Sequence, residues 1–330
     1  MIRIANEPMI NRPSSTVSIV TPSYNQGTFL RETIESVLRQ EGDFILDYII
    51  VDGASTDNSV EIIRHYGSLV DEGNWPVRCC GIRFRWVSEK DQGQTDAIIK
   101  GFSMAEGEIL SWLNSDDTLL RGAAGKIVER FRDDPSVGLV YGRARFTGPD
   151  GRTMSEVETG LTDHEGLAPL NLICQPAAFF RRTALEAAGG LNRELRYTMD
   201  HDLWIRMAKQ HTFEYIPEFL ATYRLHPESK TRAIDHAVEF QKETLEILMQ
   251  HYGRAPLNRV YGYCNRVVAS RLPGWSESNP LVILPSVLFA ISRYLHLNRG
   301  IRVDDLRMVR LGNLRKLFNS RPGFPKESRH

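Results

Sequence analysis

The sequence predicts an α/β protein in which a mostly parallel sheet is flanked by helices and followed by a helical C-terminal extension. Three observations predict it. From Val17 onward, short β-branched runs alternate with stretches whose apolar residues recur at helical spacing. Strand candidates such as Tyr48-Ile49-Ile50-Val51 are apolar throughout, which suits a parallel sheet covered on both faces. Each early strand candidate also ends in polar, loop-type residues, along the edge where right-handed crossovers collect ligand sites.

In chain order, the strands expected are Val17 to Thr21, Leu46 to Asp52, Arg83 to Ser88 and Glu108 to Leu113, separated by helices at Phe29 to Arg39, Asn58 to Tyr66 and Thr95 to Met104. After Asp134-Pro135 the period weakens. Short strands are expected at Val137 to Tyr141 and Arg143 to Thr147, then a helix at Thr183 to Ala188 stopped by Gly189-Gly190. A helix at Asp200 to Lys209 leads into strands at Thr212 to Ile216 and Ala221 to Leu225, and the chain reads helical from Ala233 to about His251. This divides the chain into a tail (1–13), a main domain (14–250) and an extension (251–330). The extension holds an apolar stretch, Leu281 to Ile291, interrupted by Pro285, and Arg-rich helix-like sequence at Ile301 to Phe318.

Composition bounds the function. Of 330 residues, 42% are hydrophobic and 25% charged, as in a globular protein with a large core. No apolar run of 18 residues is evident, so no membrane span is expected. The N-terminus is polar and carries Pro8 and Pro13, unlike a signal peptide, which predicts a cytoplasmic protein. Cys79, Cys80, Cys174 and Cys264 lack zinc-site spacing and read as reduced thiols without function. The net charge is zero, but residues 251–330 hold 14 Lys plus Arg against 4 Asp plus Glu, so the tail is basic by +10 and residues 1–250 acidic by −10. A dinucleotide oxidoreductase would need Gly-x-Gly-x-x-Gly after its first strand, and Thr21 to Gly27 has a single Gly.

The chemistry lies in the polar clusters. They are Thr21-Pro22-Ser23-Tyr24-Asn25, Asp52-Gly53-Ala54-Ser55-Thr56-Asp57, Ser88-Glu89-Lys90-Asp91-Gln92-Gly93 with Asp96-Ala97 after it, Asn114-Ser115-Asp116-Asp117, Met199-Asp200-His201-Asp202-Leu203-Trp204 and Tyr223-Arg224-Leu225-His226-Pro227-Glu228-Ser229. A carboxylate at a strand end can accept an N–H from a ligand. Paired acids in a turn suit a hard divalent cation. As plain structure, Asp57 and Asp200 would be helix caps, and Lys90 and Lys100 solvated surface residues.

In order and spacing these clusters resemble glycosyltransferase family 2 with its GT-A, Rossmann-like fold, over roughly Val17 to Thr231. The resemblance implies an inverting enzyme that moves a sugar from a nucleotide diphosphate donor, a UDP-sugar by preference, to a glycan or lipid-linked acceptor in cell-surface polysaccharide or glycoconjugate synthesis. It places Thr21, Pro22 and Tyr24 against the nucleotide base, with Asp52 accepting the base N–H. Asp91 lies near the donor, Asn114 near ribose, Asp117 beside it, and Arg224, with Lys90 or Lys100, near phosphate. Asp116 and His226 ligate Mn2+ or Mg2+, and Asp200 is the general base. Gln175-Pro176-Ala177 stands on the acceptor side. The sequence departs from the family pattern at Gly53, Ala54, Ile99, Asn114 and Met199. A different reading of the basic tail is a membrane- or nucleic-acid-surface binding module. Nucleic acid is not expected as a partner, and the tail beside Leu281 to Ile291 suggests peripheral contact at the inner face of a membrane.

Overall fold

The computed structural model describes residues 15–227, 229, 237–272 and 275–301. The first half comprises β1 (Ser15–Ser23), α1 (Gly27–Leu38), β2 (Phe44–Asp52), α2 (Ser59–Asp71), β3 (Gly81–Ser88), α3 (Gln94–Met104), β4 (Ile109–Trp112), β5 (Thr118–Leu119) and α4 (Ala123–Asp133). The second half comprises β6 (Val137–Thr147), β7 (Thr153–Glu156), a 3-10 turn (Gln175–Ala177), β8 (Ala178–Arg181), α5 (Arg182–Ala187), α6 (Met199–Ala208), β9 (Thr212–Arg224), α7 (Ala237–Tyr252), α8 (Leu257–Ser270) and α9 (Pro280–Asn298).

Among the described residues these strands form one sheet in the order β3-β2-β1-β4-β8-β6-β9-β5, with β7 on β6. β3, β2, β1 and β4 are mutually parallel, and β8 reverses direction against both β4 and β6. The apolar runs of the first strands are buried on both faces, as the sequence leads one to expect. Leu46, Tyr48 and Ile50 enter the core shared with α1, α2 and α4, while Ile49 and Val51 enter the core shared with α3, α5 and α6.

The two pairs of short strands expected in the second half are instead two long strands, β6 and β9, paired in parallel along their lengths. The sequence looked broken because Pro217 cannot donate to a ladder. The structure absorbs it in an irregularity that sets Gly142 opposite Ile216 and Arg143 opposite Phe219. Gly142 is needed there, since a Cβ at that position would lie 2.5 Å from Leu220 Cδ1. Helix α4, which buries Ala124, Ile127, Val128 and Phe131, was not anticipated, nor was α8.

The C-terminal helices make their own apolar cluster from Leu245, Ala255, Val260, Tyr261, Cys264, Ala290 and Tyr294. Helix α7 belongs to both bodies, since its Ile247 and Leu248 sit in the main core. The stretch read as interrupted at Pro285 is one continuous helix, α9, started by the Asn279 side chain accepting from Leu281 N at 2.9 Å. By length and composition it suffices to cross a membrane, which corrects the expectation that the chain has no such run. Pro285 removes one intrahelical hydrogen bond without ending the helix. The N-terminal tail 1–13, the helix start at 233–236 and the Arg-rich segment from 302 lie outside the described residues.

One buried charge holds the parallel strands to the loop before β4. Asp47, fully buried on β2, accepts from Ser18 Oγ (2.6 Å) on β1 and Glu106 N (2.9 Å), and pairs with Arg85 Nη2 (2.5 Å) on β3. Ser18 Oγ in turn accepts from Gly107 N at 2.8 Å. Asp47→Ala strands these donors and is expected to cost about 3 kcal/mol in urea denaturation at neutral pH.

Candidate active site

The loops that follow β1, β2, β3 and β4 meet the end of β9 at one edge of the sheet. The first two are knitted together by side chains. Asn25 N donates to Ser55 Oγ (2.8 Å) and Asn25 Oδ1 accepts from Thr56 N (2.8 Å). Asp57 accepts from Gly27 N and from Ser59 N, both at 2.9 Å, so it bridges the two loops as well as opening α2. Asp52 is fully buried and accepts from Ser55 N (2.9 Å), Ser55 Oγ (2.5 Å) and Ser88 Oγ (2.7 Å). A carboxylate has about four acceptor positions, which leaves room for one more N–H.

The departure at Gly53-Ala54 has a physical explanation. A Cβ on Gly53 would lie 2.8 Å from Asp91 Oδ2, so the Asp91 carboxylate occupies the space a side chain at 53 would need. Ala54 has φ of 62°, a left-handed conformation that strains any residue with a Cβ. Of the residues expected against a base, Tyr24 is 60% exposed. Thr21 is buried with its hydroxyl 3.0 Å from Tyr48 OH, and Pro22 is buried in β1 beside Val51. These two shape the floor of the edge rather than present a side chain to it.

The turn after β4 is pinned from α1, where Thr33 Oγ1 donates to Ser115 O (2.9 Å) and Asp117 O (2.8 Å). Asn114 Oδ1 accepts from Gln94 Nε2 (2.6 Å), its Nδ2 reaches Asp117 Oδ2 (3.2 Å), and Gln175 Nε2 donates to Trp112 O (2.6 Å). Burial, and then the neighbouring Asp116 charge, push the Asp117 carboxyl well above the usual range. Asp116 and His226 are brought together, with Oδ2 3.0 Å from Nε2 and the imidazole packed on Phe29 at 4.7 Å. Among the described residues no group of three or more His, Cys, Asp or Glu is placed to hold a cation. Protein donors here number two, which fits a cation that completes its shell with phosphate oxygens and water.

Arg224 corrects an expectation. It is 2% exposed, and its guanidinium is committed to the protein: Nε to Asp116 O (2.9 Å), Nη1 to Pro149 O (2.9 Å), Nη2 to Glu32, with the Phe29 ring 4.9 Å away. Its backbone N–H donates to Asp117 Oδ1 at 2.9 Å. It builds the site instead of facing phosphate. Lys100 is likewise paired with Glu89, and Lys90 is exposed.

Asp200 is the second residue of α6, whose N-cap is Thr198, so it is not the cap that plain sequence would allow. Burial above all pushes its carboxyl up to about 6, aided by the charges of Glu243 and Asp202. Its neighbours have other tasks. His201 Nε2 lies 2.8 Å from Leu167 O, and burial followed by the Arg259 charge lowers it to about 3, so it is neutral and donates. Asp202 accepts from Arg206 (2.7 and 3.0 Å) and His251 Nε2 (2.7 Å), tying α6 to α7. The Asp200 helix is fixed to the Asp116 strand by the stack of Trp204 on Trp112, with centroids 5.7 Å apart and planes at 20°. Cys174, buried just before the 3-10 turn, has its thiol raised first by burial and then by the charges of both Asp117 and Asp200. The sequence reading missed Phe29, Glu32 and Thr33, which lie on a helix face with no motif to mark them.

Fold and site together define a glycosyltransferase of the GT-A class. The Glycosyl transferase family 2 model matches residues 18–189, and the chain belongs to that family. It is 27% identical over 215 residues to a chondroitin synthase of Escherichia coli, a match covering 64% of this chain but 29% of that protein. It is 31% identical over 192 residues to a PGL/p-HBAD biosynthesis glycosyltransferase of Mycobacterium bovis, covering 57% of this chain and 68% of the relative. The fold is similar to S. aureus TarS 1-349 in complex with UDP-GlcNAc (TM-score 0.55, 15% identity, 86% of this chain and 81% of that one). It is also similar to the mannosyltransferase PcManGT from Pyrobaculum calidifontis in complex with GDP-Man and Mn2+ (TM-score 0.53, 17% identity, 97% and 84%).

Because Ala54 alone carries the strain in its turn, Ala54→Gly is expected to stabilise the protein by about 1 kcal/mol. A higher urea midpoint with unchanged slope would report it.

Proposed function

We propose that this protein transfers a sugar from a nucleoside diphosphate donor to a hydroxyl of a glycan or lipid-linked acceptor in cell-surface polysaccharide or glycoconjugate synthesis, with inversion at the anomeric carbon. The observation that carries the reading is a half-buried acid, Asp200, on a helix packed against β4 through the Trp112–Trp204 stack, together with the Asp116–His226 pair formed at the turn that follows β4. A UDP-sugar is the favoured donor. The UDP-GlcNAc complex of TarS supports it, while the GDP-Man complex of PcManGT makes a GDP-sugar the second choice.

In this reading the base stacks on Tyr24 and gives its N–H to the open position on Asp52, with Asp91 beside it and Asn114 toward the ribose. Asp116 and His226 would hold Mn2+ or Mg2+, which neutralises the diphosphate as it leaves. Asp117 and Arg224 keep the turn in place. With its carboxyl raised to about 6, Asp200 is ionised at neutral pH yet more basic than an ordinary aspartate. It takes the acceptor's hydroxyl proton as that oxygen bonds to the anomeric carbon and the bond to the diphosphate breaks. One displacement suffices, without a covalent enzyme intermediate.

Asp200→Asn is expected to keep UDP affinity but lose at least ~10²-fold in turnover, while Asp116→Ala loses the metal-dependent part of UDP binding in calorimetry. Protonation of Asp200 removes the base, so wild-type turnover falls as pH drops through about 6. Full turnover by Asp200→Asn, or a product of retained anomeric configuration, would overturn the mechanism.

The same reading places the protein at the cytoplasmic face of a membrane, held there by α9. That helix turns Val282, Ser286, Ala290 and Tyr294 inward and leaves Leu281, Leu284, Leu288, Ile291 and Leu295 between 41% and 66% exposed. From 278 to 303 the sequence has no Asp or Glu but has Arg293, Arg299 and Arg302. A wide apolar face beside cations, on a helix already packed along one side, suits an anionic lipid surface on which the helix lies flat. The wild-type chain should float with vesicles rich in anionic lipid and not with neutral ones, and Leu284→Glu/Leu288→Glu should not float. Equal flotation of both proteins, or burial of the face in a dimer instead, would refute the docking.

A further inference from the structure

The geometry points to Glu243 as the positioning residue for the proton acceptor, an inference that rests on Asp200 being that acceptor. Glu243 lies on α7, outside every motif of the site. Its carboxylate receives four hydrogen bonds from three consecutive residues that lead into α6. Oε2 accepts from Arg196 N (3.0 Å), and Oε1 accepts from Tyr197 N (2.8 Å), Thr198 N (2.7 Å) and Thr198 Oγ1 (2.8 Å). Two residues further on is Asp200.

This arrangement explains an irregularity of α6. Thr198 occupies the N-cap but makes no side-chain cap to its own helix, because its hydroxyl is given to Glu243. The helix start is therefore held by an anion delivered from another helix, the charge that a helix N-terminus favours. The opposite side of the same turn is fixed to α3 and the residues at its start. Thr95 Oγ1 lies 3.1 Å from Leu195 O and 3.0 Å from Met199 Sδ, and Arg193 pairs with Asp96 at 2.9 Å. Clamped between α3 and α7, the turn has one orientation, and so has the acid that follows it.

Glu243 also acts on Asp200 as a like charge. The other groups around Asp200 are Asp202 on its own helix, which is itself paired with Arg206 and His251, neutral His201 beside it, and the Cys174 thiol with Asp117 beyond. Of these, Glu243 is the acid on α7 that raises Asp200 with no basic side chain among the described residues paired to it. Replacing it by an amide keeps the size and one acceptor oxygen, removes the charge, and makes Asp200 easier to ionise.

The test is a pH titration by carbon-13 NMR of the full-length protein with labelled aspartate carboxyls, Asp200 being assigned by its absence in Asp200→Asn. The wild-type Asp200 midpoint is expected near 6, and in Glu243→Gln it should move down, with faster hydrogen exchange at the Arg196 amide, whose acceptor oxygen Oε2 becomes an amide NH2. An unmoved midpoint, or equal protection of the Arg196 amide, overturns the inference. If Glu243→Gln does not fold, Thr198→Val removes one bond without touching the charge. It should speed exchange of the Thr198 amide by about tenfold, the worth of one hydrogen bond, and leave the midpoint in place; unchanged exchange overturns the inference. The titration needs no turnover, so its outcome is separate from whether Asp200→Asn is inactive.

Discussion

The site depends on the burial of one guanidinium. Taking Arg224 out of water is costly unless its donors are met, and they are met by Asp116 O, Pro149 O and Glu32, with Phe29 against the guanidinium plane. Each partner belongs to a different segment: the turn after β4, the loop between β6 and β7, and helix α1. The chain at Arg224 is therefore fixed on three sides, and two consequences follow directly. Its N–H is aimed at Asp117, and His226, two residues on, is held against Asp116 with Ser229 Oγ accepting from its N–H. The pair that we propose as cation ligands is thus assembled around a residue whose guanidinium is bonded to the protein itself.

Helix α6 shows how environment assigns roles to identical side chains. Asp200 and Asp202 stand on the same turn. Burial raises the first, whose oxygens meet backbone N–H groups alone among the hydrogen bonds acting on it. Burial acts upward on the second too, but the hydrogen bonds from His251 and Arg206 outweigh it and hold that carboxyl below its ordinary value. One acid is left basic enough to receive a proton, the other is locked as an anion joining two helices.

Much of this was legible in the sequence, for a physical reason. Strands covered on both faces must be apolar throughout, so β1, β2 and β4 announce themselves, and the loops after them must then share an edge. Residue type and spacing said which side chains reach that edge. They did not say which way each one turns. Thr21 and Arg224 were expected at the ligand and are spent on Tyr48 and on the protein's own carbonyls. Glu243 was invisible because its partners are backbone N–H groups, which leave no mark on the sequence. The long β6–β9 pair was hidden by Pro217, and α9 by Pro285; in each case a local breaker is tolerated because tertiary packing supplies what the broken hydrogen bond does not.

The close approach of Gly53 to Asp91 has a meaning for how such a chain can change. One small volume beside Asp52 holds a single carboxylate, and here it arrives from the loop after β3. A larger residue at 53 requires the Asp91 carboxylate to swing aside, and loss of Asp91 would open the volume to a side chain from 53. The two positions are epistatic: neither can be judged neutral or harmful without naming the other, and a swap between them has to pass through a state that is either overfilled or empty.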